Sequence, residues 1–220
     1  MQKSNDNKGE LLNIFGDFFY LSDLNHENHN KIYKNFFDKV YNNNNIDYGS
    51  WKLCSTKSDY FDNKLLFNYN PLNFENMLYE ELEKHFNNMM LLMNNVCDND
   101  TSNYKINILN VWHNIYKEND FQETHNHSDI GTHFSFVYIL KSKDYDKDSK
   151  IFFVNPRDSL YAFNDYQNKF KNLNYDKHYI PHLKEGSIII FPCHLEHGVS
   201  VHRNNKNERI SISGNLSIID

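Results

Sequence analysis

Glu185-Gly186-Ser187-Ile188-Ile189-Ile190-Phe191-Pro192-Cys193-His194-Leu195-Glu196-His197-Gly198-Val199 reads as a turn, a buried strand, a proline stop, a short loop and a histidine that opens a further strand. Glu185-Gly186 supplies the turn. Ser187 opens an apolar run to Phe191, and Pro192 ends it because proline cannot donate to a ladder. A strand His197 to Val201, a polar connection Arg203 to Glu208 and a strand Arg209 to Ile219 then read as a hairpin. The last strand alternates, with Arg209, Ser211, Ser213 and Asn215 on one side and Ile210, Ile212 and Leu216 on the other. A hairpin of this size would bring the Arg209 side chain to the same interior face as His197.

Upstream, His125-Asn126-His127 places two imidazoles two residues apart. In an extended strand such residues share a face, so the pair is half of a metal site. H-x-H alone is a weak motif in a chain with twelve histidines. It gains specificity only from His197, which can add a third nitrogen from another strand. Isolated His26, His29, His85, His178 and His202 read as surface or hydrogen-bonded core residues. The other strands are Tyr104 to Tyr116, Phe134 to Lys141 and Ile151 to Val154. In the first of these, Ile106, Ile108, Asn110, Trp112, Asn114 and Tyr116 share a face by alternation. Asn110 and Asn114 beside Trp112 suit a pocket wall better than a closed core.

The first half is helical in texture. Leu11 to Tyr20 reads as one strand entering the core. Asp23 or Asn25 caps a helix over Glu27 to Tyr41, where Ile32, Tyr33, Phe36, Phe37 and Val40 form one stripe. Asn42-Asn43-Asn44-Asn45 ends it as a loop. Residues 46–71 carry no clear period. After Pro71 and Asn73, a long helix runs from Phe74 to Cys97 with Met77, Leu78, Leu82, Phe86, Met89, Met90 and Met93 on one stripe. That Met-rich stripe reads as core rather than a binding groove. Asp98 to Ser102 links the halves, and residues 157–178 form a long excursion of the kind used as lids.

A chain of 220 residues suits one domain. Residues 1–10 are predicted as a frayed tail, 11–103 as a helical part and 104–220 as the β core. A net charge of -6 argues against nucleic acid as the main partner. Asn makes up about one residue in six, a bias placed on surface and loop positions. Cys54, Cys97 and Cys193 match no C-x-x-C pattern, which favours a reducing compartment. No signal-peptide pattern and no bilayer-length apolar run is visible, so the expectation is a soluble cytoplasmic protein, with a homo-oligomer compatible. The sequence shows no Gly-rich phosphate loop, no G-x-S-x-G elbow and no Cys-based zinc spacing.

Taken together, Trp112-His113-Asn114, His125-Asn126-His127, Ser135-Phe136-Val137-Tyr138, Asn155-Pro156-Arg157, Glu185-Gly186 through Pro192, His197 and Arg209-Ile210-Ser211 resemble the Fe(II)/2-oxoglutarate-dependent oxygenases. The closer likeness is to the bacterial and phage branch related to prolyl hydroxylases. Ile14-Phe15-Gly16 and Leu21-Ser22-Asp23-Leu24 resemble the start of that branch, so the likeness spans residues 11–217. It implies an α+β, mainly β architecture: a double-stranded β-helix, jelly-roll and cupin-like, with N-terminal helices packed on it. It implies Fe(II) as cofactor, 2-oxoglutarate and dioxygen as cosubstrates, and hydroxylation of an unidentified peptidyl or amino-acid substrate.

Residue by residue, the resemblance makes His125, His127 and His197 the metal ligands. His127 stands where the wider superfamily has a carboxylate, and a three-imidazole set also suits zinc. Asp129 is the alternative ligand, and His194 an alternative to His197. Arg209 would clamp the distal carboxylate of 2-oxoglutarate, with Ser211 and Asn114 assisting. The plain alternatives are an Arg209 balancing Glu208 and a structural amide at Asn114. Trp112, Arg157 and Asn215 are candidates for substrate or pocket contact, Arg157 equally for anchoring a loop. Two other function classes stay open: a cupin-like metal protein without oxygenase activity, and a metal-free β interaction module.

Overall fold

The run Ile188-Ile189-Ile190-Phe191 exposes neither face, and all four side chains are fully buried. It is the middle of the strand Ser187–Pro192, and a strand apolar on both sides needs a layer on each. Ile188 and Ile190 pack toward two helices, while Ile189 and Phe191 pack toward a second sheet. The computed structural model describes residues 9–42, 48–50, 56–61, 74–97, 104–163 and 176–219.

In chain order the strands are β1 (Glu10–Ile14), β2 (Asp17–Asp23), β3 (Gly49–Ser50), β4 (Lys57–Ser58), β5 (Lys105–Tyr116) and β6 (Gln122–His125). They continue as β7 (Phe134–Lys141), β8 (Ile151–Val154), β9 (His178–Tyr179), β10 (Ser187–Pro192), β11 (His197–Val199) and β12 (Arg209–Ile219). The helices are α1 (His26–Phe36, continued by a π turn Phe37–Tyr41), α2 (Phe74–Cys97) and α3 (Asp158–Phe163). An eight-stranded sheet of order β1-β2-β10-β7-β12-β5-β4-β3 faces a four-stranded sheet of order β6-β11-β8-β9. Every pairing is antiparallel. Helices α1 and α2 cover the outer face of the large sheet through Ile32, Phe36, Leu82, Phe86 and Met89. The Met-bearing stripe of α2 is therefore core, as its spacing predicts. Asn25 caps α1, its side chain accepting from the Asn28 amide. No described helix is long and apolar enough to cross a membrane.

Four expectations need correction. Leu11 to Tyr20 is a hairpin, because Phe15 and Gly16 both adopt positive φ (60° and 93°) and close a two-residue turn between Ile14 and Asp17. β11 and β12 do not pair: β11 bonds β6 and β8, while β12 bonds β5 and β7 in the other sheet. The polar connection is thus a crossover between sheets, tied down where Asn204 Nδ2 donates to Asp148 and His202 Nε2 donates to the Asn207 carbonyl. Third, the face of β5 switches partway. Asn215 pairs with Asn110 but Leu216 pairs with Ile108, so a bulge at Leu109 turns Ile106 and Ile108 toward the helices. Fourth, the N-terminal part is not only helical, since β1 to β4 extend the large sheet on both sides. Within the excursion, α3 and β9 are ordered elements, while residues 164–175 lie outside the described residues. So do residues 1–8, Asn43 to Asn45, Pro71, Asn73, the link Asp98 to Ser102, Cys54 and the side chain of Cys97.

The bulge explains Gly214. A Cβ there would lie 2.5 Å from the Asn110 carbonyl oxygen and 2.5 Å from a ring carbon of Phe136. Gly214→Ala is expected to destabilise by about 1–3 kcal/mol, the usual range for overpacking. Urea unfolding with an unchanged slope reads this directly, and an unshifted midpoint would contradict the crowding.

His85 on α2 gives a pH signature. It is 2% exposed, its Nδ1 is 3.1 Å from the Tyr20 hydroxyl, and Glu81 lies 3.7 Å from Nε2. Burial above all, with Lys84 adding and Asp23 opposing, pushes its pKa down to about 4 from 6.5. The unfolded chain therefore takes up this proton first as pH falls through the window from 6.5 toward 4, and stability drops with it. The loss by pH 4.5 is about 2–3 kcal/mol. Comparing unfolding of wild type and His85→Gln at pH 7 and pH 4.5 should show their stability difference narrowing by about 2 kcal/mol. A difference independent of pH would refute the assignment.

Candidate metal and keto-acid site

β6 and β11 are neighbours in the small sheet, and their register sets His125 directly opposite His197. The strand ends at His125, so His127 lies in the following loop rather than in the ladder. Its amide still donates to the Cys193 carbonyl at 2.9 Å, which holds the loop against the end of β10. The three rings converge, with centroids 5.1 Å apart for His125 and His127, 4.4 Å for His125 and His197, and 5.2 Å for His127 and His197. One ligating atom from each can be chosen with all separations within 4.8 Å.

All three are held neutral. Burial is the largest cause of lowered pKa at each, and at His127 it acts with the neighbouring His125 to bring the value down to about 4. Two tautomers follow from the hydrogen bonds. His125 Nδ1 is 2.8 Å from the Glu123 carbonyl and His197 Nδ1 is 2.9 Å from the Leu195 carbonyl. A carbonyl only accepts, so both Nδ1 atoms carry the proton and both Nε2 atoms present lone pairs.

The facing sheet supplies the opposite wall. Arg209, Ser211 and Ser213 from β12 and Trp112, Asn114 and Tyr116 from β5 line one open pocket of about 370 Å³ together with the three histidines. β12 and β11 belong to different sheets, so Arg209 and His197 meet across the sandwich and not along a hairpin. Arg209 is 3% exposed, its guanidinium lies over the Tyr116 ring at 5.1 Å, and its Nη1 has no hydrogen-bond partner. Burial lowers its pKa, with Tyr116 and Asp148 opposing. Glu208 is not its counter-ion, since that carboxylate accepts from the Tyr41 hydroxyl and pairs with Lys141 at 3.1 Å. Asn114 Oδ1 and Trp112 Nε1 are also buried without partners. Trp112 packs between His127 at 5.4 Å and Tyr60 at 5.1 Å.

The residues present fit a divalent metal bound beside an anionic ligand. Three neutral imidazoles, two with fixed Nε2 lone pairs, form one face of a coordination shell and leave the pocket side open. A buried guanidinium with an unpaired nitrogen faces the same space, and an unpaired buried cation is costly unless an anion joins it.

Other candidates fall outside. Asp129 is exposed and stands apart from the imidazole cluster. His194 is exposed and pairs with Asp17 at 3.3 Å. Arg157 is exposed, with its guanidinium against the Gly16 turn. Asn215 does not line the pocket but accepts at 2.9 Å from Ser135 Oγ, which does. Tyr116 and Gln122, joined by a 2.8 Å bond from the Tyr116 hydroxyl to Gln122 Oε1, line the pocket but were not singled out by the sequence. Alternation in β5 puts Tyr116 on the wall beside Asn114. Nothing local marks Gln122, which turns inward through an irregularity in the β6–β11 register.

Residues 110–215 match the family described as "Putative 2OG-Fe(II) oxygenase". None of the curated proteins matches the chain. Among solved structures, a prolyl hydroxylase from Trichoplax adhaerens, in complex with a hypoxia inducible factor oxygen degradation domain peptide fragment, is 12% identical. That alignment covers 98% of this chain and 85% of that one with a TM-score of 0.58. A prolyl-4-hydroxylase from Pseudomonas putida is 10% identical over 90% of this chain and 91% of its own, with a TM-score of 0.56. An oxidoreductase of the 2OG-Fe(II) oxygenase family from Burkholderia pseudomallei is 18% identical, with a TM-score of 0.45. The alignment covers 66% of this chain and 59% of that one. The fold is the double-stranded β-helix, or jelly roll, in an α+β setting, as the sequence implied. The stretch similar to the 2OG-Fe(II) oxygenase family, residues 110–215, is just under half of the chain and takes in most of its β core.

Proposed function

We propose that the whole chain, residues 1–220, is one Fe(II)- and 2-oxoglutarate-dependent oxygenase unit, with His125, His127 and His197 holding the metal. When bound, the iron would supply the reaction of dioxygen with 2-oxoglutarate, in which one oxygen atom enters succinate as carbon dioxide leaves and the other enters a substrate C–H bond. The single observation that carries the reading is Arg209: a buried guanidinium with an unpartnered Nη1, lining one pocket with the imidazole cluster. A metal protein with no anionic cosubstrate has no use for it.

The rest of the wall has matching roles. Arg209 takes the distal carboxylate in a forked pair, and Ser211 adds a hydroxyl from the same strand face. Asn114, on the same pocket wall, orients the keto acid by donating from its side-chain N–H. The Tyr116 ring supports the guanidinium from one side, and Trp112 packs on His127. The His125 and His197 protons stay on Nδ1, which keeps Nε2 available to the metal. The substrate class we favour is a peptidyl or free amino-acid residue. Its support is the fold shared with two prolyl hydroxylases, and the compartment we favour is intracellular.

Succinate formation from 2-oxoglutarate by anaerobically iron-loaded protein tests the reading. Slow iron-dependent turnover is expected even without a primary substrate. A tightly held metal with neither turnover nor 2-oxoglutarate binding would favour the cupin-like alternative, and no bound metal under any loading would end both.

A further inference from the structure

Arg209 is a wall of two cavities. It lines the pocket of the three histidines and also a second cavity behind it, of about 280 Å³, with Ile151 shared between them. The rear cavity opens between β7, β8 and the Pro181–Leu183 segment, away from the histidines. Its polar lining is unbalanced. Lys150 reaches it with its ammonium 4.3 Å from the Tyr145 ring centroid and with no ion pair among the described residues. Ser149 is 3% exposed and its Oγ has no hydrogen-bond partner. The one carboxylate there, Asp148, is already committed: Ser142 Oγ and the Lys143 and Asp144 amides donate to Oδ2, and Asn204 donates to Oδ1.

We propose that this rear cavity is a second anion site, in which Lys150, the Ser149 hydroxyl and the far side of Arg209 bind a small oxyanion. Two cations without ion pairs, one of them Arg209 with an unpartnered Nη1, and an unpartnered buried hydroxyl supply charge and donors for a small oxyanion. Because one guanidinium serves both cavities, an anion behind it competes for its charge and its donors. Binding at the rear therefore weakens the anion at the front, and the coupling is reciprocal. Only this coupling rests on Arg209 as the 2-oxoglutarate anchor; the rear site itself does not.

The test uses sulfate as probe, by titration calorimetry on metal-free protein at constant ionic strength, which separates site binding from screening. Acetate in a parallel arm tells a planar carboxylate from a tetrahedral dianion. Sulfate, acetate or both should bind wild type saturably, with affinity at least tenfold weaker in Lys150→Ala and in Ser149→Ala. Both variants should melt as the wild type does. In metal-loaded protein the bound oxyanion should raise the 2-oxoglutarate dissociation constant at least threefold and then level off, and Lys150→Ala should abolish the effect. No saturable binding of either anion would overturn the proposal, as would binding indifferent to both variants. A 2-oxoglutarate affinity that falls without limit would place the anion in front and also refute it. If 2-oxoglutarate never binds while sulfate binding still depends on Lys150, the rear site stands and the oxygenase reading falls.

Discussion

Arg209→Ala is expected to weaken 2-oxoglutarate binding by about 30-fold to several-thousand-fold while leaving metal affinity unchanged. The range follows from the roughly 2–5 kcal/mol lost when one partner of a buried, hydrogen-bonded charge pair is truncated. Arg209 is 3% exposed with one terminal nitrogen unpaired, so an incoming carboxylate meets a desolvated, already positioned donor. The same burial makes the side chain a liability when the pocket is empty. Arg209→Met should therefore leave the ligand-free protein as stable as wild type or more so, because it removes an unpaired buried charge. Arg209→Lys keeps the charge but loses the fork and should recover only part of the affinity. Calorimetric titration of metal-loaded protein, with urea unfolding of the ligand-free forms, reads both effects. A dissociation constant for Arg209→Ala within threefold of wild type would remove Arg209 from the binding site.

The second large effect is at His197. It faces His125 across a strand pair and is 4% exposed, so no water replaces its lone pair without disturbing the sheet. His197→Ala is expected to abolish metal-dependent stabilisation, which in wild type should reach about 2.7 kcal/mol at a hundredfold excess of metal over its dissociation constant. Thermal unfolding with and without metal measures it. Two controls separate local from general effects. His194→Ala removes an exposed ring paired with Asp17, and Asp129→Ala removes an exposed carboxylate outside the cluster. Both should keep the full metal shift. Loss of the shift in Asp129→Ala with its retention in His127→Ala would exchange those two residues as ligands.

Much of this was legible in the chain itself. The apolar run to Phe191, the alternation of β12 and the long stripe of α2 report local periodicities, which depend only on which side chains must leave water. These were enough to set the β core, the helical cover and the pairing of H-x-H with His197 and Arg209. What alternation could not convey was every point where the ladder slips. The bulge opposite Asn215 turns Ile106 and Ile108 away from the wall that holds Trp112 and Asn114, and the β6–β11 irregularity brings in Gln122. A bulge costs little locally and is decided by the partner strand, so it leaves no period of its own.

The sequence by itself determined the type of the main core elements and which residues are candidates for the chemistry, because burial patterns and donor types are properties of short stretches. Only the tertiary structure decided how Arg209 and His197 come to share a pocket. They meet across two facing sheets rather than along one hairpin, since strand pairing is settled by long-range register that no stretch between them encodes. It also decided that Arg209 is a wall between two cavities, for a cavity belongs to the packing of distant segments and to no one of them.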